Sequence, residues 1–400
     1  MAVILMSRTK RFYIASSLVL LAIIFSSHYS FAQVPKLFLN GNINIKSNKL
    51  FIIGEHHRVQ EFYDVQYCII EHIILHNPNI KNFQLLIENS LCLNYYLDKL
   101  ILENDSVSLK NFLMHHSHRI QDTLFPMNQA RYDFYMKFYC LSKLLKGRTF
   151  RFNCYDNTLI LRSLVFTVLD ILKKYSATGT IFLSQISFMD SLLQKEKLDR
   201  DYLAFHQQVG ACFIENEELL KNILTQNDYY YLFEMMRRLP SINRNPSNIF
   251  EPVTQERENM MFKHINNSYN DSTFFFCIIG TWHIRKPYHT SELLPKLKKD
   301  GVSKAVSVIE MMEKYRISQF KNKIILCNLV PLIKKFNDSS TDKVFNIPGY
   351  YPPALQKHRN YLNSLLTGNI TLIDMRKTNI KHAHKITDYL IVVKETNSLH

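Results

Sequence analysis

KLFIIGEHH, residues 49–57, and TFFFCIIGTWH, residues 273–283, decide the fold. Each is an unbroken apolar run that ends in glycine and meets a histidine three residues later. Runs of this length without polar alternation suit strands buried on both faces, as in parallel sheets covered by helices. The chain holds 9 glycines in 400 residues, against about 7% in ordinary proteins. Two of that small number, Gly54 and Gly280, stand at matching strand ends. Glycine there lets the strand turn sharply, so that the histidine points back over the sheet edge.

Working outward, similar apolar runs predict strands at Phe83–Glu88, Thr149–Cys154, Thr178–Leu183, Ala305–Ile309, Ile324–Leu329, Ile370–Ile373 and Tyr389–Val393. Apolar residues three or four apart predict helices between them. Val59–His76 is one, with Phe62, Val65, Ile69 and Ile73 on one face and a stop before Pro78. Gln129–Leu145, Arg162–Tyr175, Leu198–Ile223 and Thr254–Asn267 read the same way. The alternation predicts an α/β domain with a mostly parallel central sheet flanked by helices. Residues of about 185–250 offer no convincing strand and read as a helical insertion.

The N-terminus reads as an export signal. Arg8, Lys10 and Arg11 precede an apolar run from Phe12 to Phe25, and Ser30-Phe31-Ala32 offers small residues before a cut at Gln33. The expected organisation is a signal peptide over 1–32 and a single α/β domain over 33–400, secreted or periplasmic. The run is shorter than the roughly 20 residues of a spanning helix. The first cysteine is Cys68, so no lipid-anchor cysteine follows the cut, and no membrane anchor is expected after cleavage. The formal charge of +15 would invite a nucleic-acid reading. An exported chain with scattered basic residues and a Lys-, Asn-, Ile-rich composition argues against that partner. The seven cysteines include no C-x-x-C and form no readable disulfide framework.

In open α/β sheets, ligands bind beyond the carboxyl ends of strands. The residues expected there are Glu55, His56 and His57 after the first strand, Glu88 after the second, Asp156 after the third, and Trp282 and His283 after TFFFCIIG, with Arg257 on the preceding helix. Two chemistries stay open. A carboxylate-oriented imidazole could deprotonate water while arginine or a second histidine stabilises an oxyanion. Alternatively, His57, Glu88 and His283 could hold a divalent metal. Either His56 or His57 could face the site. His115-His116-Ser117-His118, His382-Ala383-His384, Tyr229–Tyr231 and Tyr350–Pro353 read as loop, turn and core features. P-loop, G-x-G-x-x-G, G-x-S-x-G and H-E-x-x-H motifs are missing from the sequence.

The order strand–Gly-Glu-x-His, helix, strand–Glu resembles the superfamily of erythromycin esterases, ChaN-type haem-binding proteins and TraB/Tiki proteins. Arg257-Glu258-Asn259-Met260 resembles that superfamily's R-x-x-M helix, and the following FFFCIIGTWH its second Gly-x-x-His. ITLIDMRK (Ile370–Lys377) and TDYLIVVKETNS (Thr387–Ser398) resemble its closing strands. The spacing of Gly54-Glu55-His56-His57 is closer to the ChaN and Tiki pattern than to the erythromycin esterase one. The resemblance implies that Glu55, His57, Glu88, Arg257 and His283 form the site of a hydrolase acting on an ester or amide, in a small-molecule or peptide substrate. Its alternatives are a haem- or metal-binding protein using the same histidines, and a non-catalytic relative in which the polar residues do not converge.

Overall fold

The computed structural model describes residues 43, 45, 49–55, 59–116, 125–156, 160–195, 198, 201–242, 255–284, 307–314, 324–338, 343–348 and 351–398. The expected signal peptide, His56, His57 and the Trp282 side chain lie outside them. Eight strands form one sheet: β1 (Leu50–Glu55), β2 (Asn82–Ile87), β3 (Thr149–Cys154), β4 (Thr273–Gly280), β5 (Ile324–Asp338), β6 (Lys343–Pro348), β7 (Ile370–Asp374) and β8 (Tyr389–Ser398). Their order is β3-β2-β4-β1-β5-β8-β7, with β6 paired to the far half of β5. All pairings from β3 across to β8 are parallel, and β6 and β7 add antiparallel pairs. The described residues belong to one compact unit.

The central strands are apolar because both faces are covered. Leu50, Ile52, Phe275, Cys277 and Ile279 turn to one face, where they pack with Met261, Ile265, Val308, Ile309 and Met312. Those partners come from two helices, here α6 (Gln255–Ser268) and α7 (Val308–Lys314). Phe51, Ile53 and Glu55 alternate to the other face. That side carries α1 (Gln60–His76), α2 (Leu91–Glu103) and α3 (Phe125–Leu144). The helical region follows β3, with α4 (Leu161–Lys173) at its start and α5 (Gln226–Ile242) at its end.

The chain leaves β1 into α1 on one face of the sheet, whereas α7, which precedes β5, packs on the other. Adjacent strands whose connections part in this way open a crevice at their carboxyl ends. That crevice lies between Glu55 and Gly280.

Two expected strands are helical instead. Thr178–Leu183 falls in the helices Ser176–Ile181 and Leu183–Leu193. Ile181 and Leu183 are exposed there while Phe182, Ile186, Met189 and Leu192 are buried, which is a helical spacing that a short apolar run conceals. The helical insertion therefore begins before residue 185. Within Ala305–Ile309, residues 308 and 309 open α7, because Val308, Ile309, Met311 and Met312 bury one helical stripe. Within Leu198–Ile223 the chain is continuously helical over residues 202–215, with a π turn at His206–Gly210, and helical again over Glu217–Ile223. The other predicted strands form, with β5 and β8 longer than expected.

Candidate active site

The site starts from the backbone of β1 and β4. Gly54 pairs with Ile279, and Glu55 with Gly280. The two Gly-x-x-His segments are therefore staggered by one residue, not in register, and the two glycines face opposite sides of the sheet. Gly54 is required by close approach. A Cβ there would lie 2.0 Å from Ile284 Cδ1 and 2.9 Å from Asn328 Oδ1. The chain turns after Gly280 into a short 3-10 helix, Thr281–Ile284. The Thr281 hydroxyl donates to the Glu55 carbonyl (2.7 Å), tying the second motif to the first.

On the α6 side, charged groups form one continuous chain. Arg257 grips Asp156 with two nitrogens, Nε to Oδ1 (3.2 Å) and Nη2 to Oδ2 (2.8 Å). The same Nη2 donates to Glu88 Oε1 (2.8 Å). The other Glu88 oxygen accepts the Gly280 N–H. His283 Nε2 lies 3.2 Å from Glu88 Oε1, and its Nδ1 is held by Glu258 Oε1. Glu258 Oε2 accepts the Val308 N–H (2.8 Å) and so caps the start of α7. His283 and Glu258 are 3% and 0% exposed, whereas the Arg257 side chain is 25% exposed. Three carboxylates thus alternate with two cationic groups, as buried charges must.

Burial alone would lower the His283 pKa. The hydrogen bonds to Glu258 and Glu88, with their charges, outweigh it and raise it to about 9. At neutral pH the imidazole is therefore protonated and donates from both nitrogens. For Arg257, burial opposes the charge, but Asp156 first and then Glu88 hold the guanidinium firmly ionised.

On the α1 side, the Gln66 amide nitrogen donates to Glu55 Oε2. Gln66 is fully buried, so this polar side chain fixes the Glu55 carboxylate from below.

Of the expected site residues, Glu88, Asp156, Arg257 and His283 converge directly. Glu55 joins them through the β1–β4 pairing and Thr281. His56 and His57 follow Glu55 in the chain but lie outside the described residues, as does the Trp282 side chain. The metal expectation fits poorly with the described donors. Both His283 nitrogens face carboxylates, the Glu88 oxygens are held by Arg257, His283 and Gly280, and no group of three His, Cys, Asp or Glu is poised around one point among the described residues. The same engagement keeps His283 from serving as a haem ligand in this arrangement.

Two residues that hold members of this cluster were not singled out from the sequence, Glu258 and Gln66. Their signal was a polar residue on an apolar stripe: Glu258 with Met261 and Ile265, and Gln66 among Phe62, Ile69 and Ile73, all buried. The secondary motifs keep structural roles. His116 stacks on Phe166 (3.6 Å between ring centres). His382 and His384 rings stand 6.5 Å apart beside a turn. Tyr231 and Tyr351 are buried and hydrogen-bonded. The seven cysteines, all within the described residues, form no disulfide with one another.

No family model matches the chain, and no curated protein matches it in sequence. Solved structures do match it in three dimensions. The chain shares its fold with erythromycin esterase EreC. That enzyme, solved as a His-to-Asn mutant in its open conformation, superposes with a TM-score of 0.51 at 10% identity, over 89% of this chain and 93% of its own. A Bacillus cereus protein gives 0.53 at 10% identity, over 89% and 91%. A protein described as a succinoglycan biosynthesis protein gives 0.51 at 11% identity, over 89% and 90%. The α/β architecture implied by the motif resemblance is met at the level of the fold.

Proposed function

We propose that this chain is an exported hydrolase that cleaves an ester or amide bond in a small-molecule or peptide substrate. The observation that carries the reading is the buried charge chain Asp156–Arg257–Glu88–His283–Glu258 at the mouth of the β1–β4 crevice. Such a chain is costly to bury. It holds a guanidinium, the one partly open member, at the place where a ligand enters an open α/β sheet. The likeness in fold to an erythromycin esterase supports hydrolytic chemistry, and the basic and apolar residues of the first 32 positions support export.

The division of labour follows from exposure and protonation. His283 is protonated and enclosed, so it is no general base; it is a positioning residue that holds Glu88 and, through it, Arg257. Arg257 faces the crevice and stabilises the oxyanion that forms when water attacks the carbonyl carbon. The base is assigned to His57, two residues after Glu55, with Glu55 orienting it. Water gives its proton to His57 as its oxygen bonds to carbon. The proton then passes to the leaving alcohol or amine as the carbon–oxygen or carbon–nitrogen bond breaks.

The test is turnover of a panel of esters and peptides by the wild type, His57→Ala and His283→Ala, with and without chelator. Loss of turnover in both variants supports the assignment. Unchanged activity in both variants overturns it.

A further inference from the structure

The Asp156 carboxylate that grips Arg257 hangs from a turn whose outer side is held by a buried amide. Among the described residues β3 is an edge strand of the sheet. The N–H groups of Thr149 and Tyr155 turn inward, to the Lys81 and Ile87 carbonyls (2.8 and 3.2 Å). Between them Phe150, Phe152 and Cys154 point their N–H groups outward, away from β2. Cys154 is the last of these, and it is buried, so its N–H needs a protein partner. It donates to Asn94 Oδ1 on α2 (2.7 Å). An apolar side chain at position 94 would leave that donor orphaned.

That contact fixes which way the amide points. With Oδ1 taken by Cys154, the Asn94 nitrogen donates, and it meets the Tyr231 hydroxyl of α5. The hydroxyl donates in turn to Asp98 Oδ2, one turn further along α2. Asn94 and Tyr231 are both buried. Around them α5 is seated on α2: the Tyr95 ring packs edge-on against Tyr231 (5.4 Å), and Cys92 Sγ lies 3.5 Å from Met235 Sδ. On the inner side of the turn, the Asp156 N–H donates to the Asn89 carbonyl (3.0 Å) and the Tyr155 hydroxyl to the Ile278 carbonyl (2.9 Å). The turn that carries Asp156 is thus held from β2 and β4 within, and from α5 through Asn94 without.

We infer that Asn94 and Tyr231 are positioning residues, through which α5, the last helix of the helical insertion, sets the aim of the Arg257 guanidinium. The inference rests on the hydrolase reading for the use made of Arg257, but not for the geometry. Loosening the outer hold lets Asp156 drift from Arg257, and the guanidinium then leans further onto Glu88. Glu88 has less charge to spare for His283, which binds its proton less tightly. A role confined to stability would have no such effect on His283.

Two measurements on the full chain test this, with Tyr351→Phe as the comparison. Tyr351 is an equally buried tyrosine whose hydroxyl donates to Asn363 (2.7 Å) in the C-terminal part of the core, so its loss removes one buried hydroxyl with no link to Asp156. The first measurement is NMR titration of the His283 ring. Tyr231→Phe and Asn94→Leu should lower its pKa from about 9 by roughly half a pH unit or more, and Tyr351→Phe should leave it in place. Tyr231→Phe serves if Asn94→Leu does not fold. The second is steady-state kinetics on an ester that the wild type cleaves. In Tyr231→Phe, kcat should fall roughly fivefold or more with KM nearly unchanged, because the oxyanion that Arg257 meets exists only in the transition state. A His283 titration unmoved in both variants, or moved equally in Tyr351→Phe, overturns the positioning role whether or not any ester is cleaved. An unchanged kcat overturns it as well. If the titration moves as expected while the wild type cleaves nothing, the hydrolase reading falls and the positioning role stands.

Discussion

Replacing Glu258 by glutamine probes the charge chain at its most buried member. In the native protein, one Glu258 oxygen holds His283 Nδ1 and the other accepts the Val308 N–H. The imidazole pKa is raised from its ordinary 6.5 to about 9, a displacement worth about 3 kcal/mol. Because the folded protein binds that proton more tightly than the unfolded chain, the stabilisation is fully present below pH 6.5. It declines as pH rises from there toward 9, and is lost above. Glutamine removes the charge, and its single carbonyl oxygen can serve His283 or Val308 but not both. The abandoned N–H costs about 1–3 kcal/mol at any pH. Part of the 3 kcal/mol attached to the proton is lost as well, since Glu88 remains to support it. Glu258→Gln should therefore destabilise the protein by about 3–5 kcal/mol at pH 6 and by about 1–3 kcal/mol at pH 9.5. Urea unfolding followed by circular dichroism at both pH values measures the difference. Titration of the His283 ring by NMR locates the proton directly. A destabilisation that does not change with pH, or a His283 that titrates at or below 6.5 in the wild type, would refute the reasoning.

The other expectations concern single contacts. Arg257→Lys keeps the charge but loses the two-nitrogen grip on Asp156, so kcat/KM on a cleaved ester should fall by roughly 10- to 100-fold; steady-state kinetics beside an unchanged circular dichroism spectrum would show it. Gly54→Ala sets a methyl against Ile284 Cδ1 and Asn328 Oδ1 and should cost about 1–3 kcal/mol in urea unfolding, with Ile284→Val in the same chain recovering part of the loss. Turnover should survive EDTA and phenanthroline, because both His283 nitrogens are already held by carboxylates; reversible loss restored by added zinc would contradict that view.

The parts of the fold that could be read from the sequence were those whose pattern has one physical meaning. LFII and TFFFCII are too short and too apolar to be anything but covered strands once glycine and a polar turn follow them. TGTIFL and AVSVI carry a similar run length without that ending, and both resolve as helix where described because their neighbours continue a three-to-four spacing. The far half of β5 and the strand β6 escaped because KKFND and KVFNIP mix charge with apolar residues, and only pairing with distant segments, β5 with both β6 and β8, makes them strands. Within the site, the histidines and the strand-end carboxylates announced themselves by position. Glu258 and Gln66 did not, because a buried carboxylate or amide on an apolar stripe becomes intelligible only when its partner arrives from a distant segment. Glu258 and His283 are 25 positions apart, and Glu88 and Arg257 are 169.

The one-residue stagger between the two Gly-x-x-His segments explains why the polar groups divide between the faces. Gly54 pairs with Ile279 on the α6 side, and Glu55 pairs with Gly280 on the α1 side. With in-register motifs, Glu55 would pair with Thr281 and Gly54 with Gly280. Glu88, just past the end of β2, accepts the Gly280 N–H, while Glu55 stays with Gln66 on the other face. Ile284 then folds back over the absent Gly54 Cβ, which seats His283 beneath Glu88. A side chain at position 54 would displace the Ile284 side chain and press on Asn328 Oδ1, so the glycine bears on the site through packing. Loss of the raised His283 pKa in Gly54→Ala, and its partial return when Ile284→Val is added, would tie the geometry of the strand end to the protonation of the site.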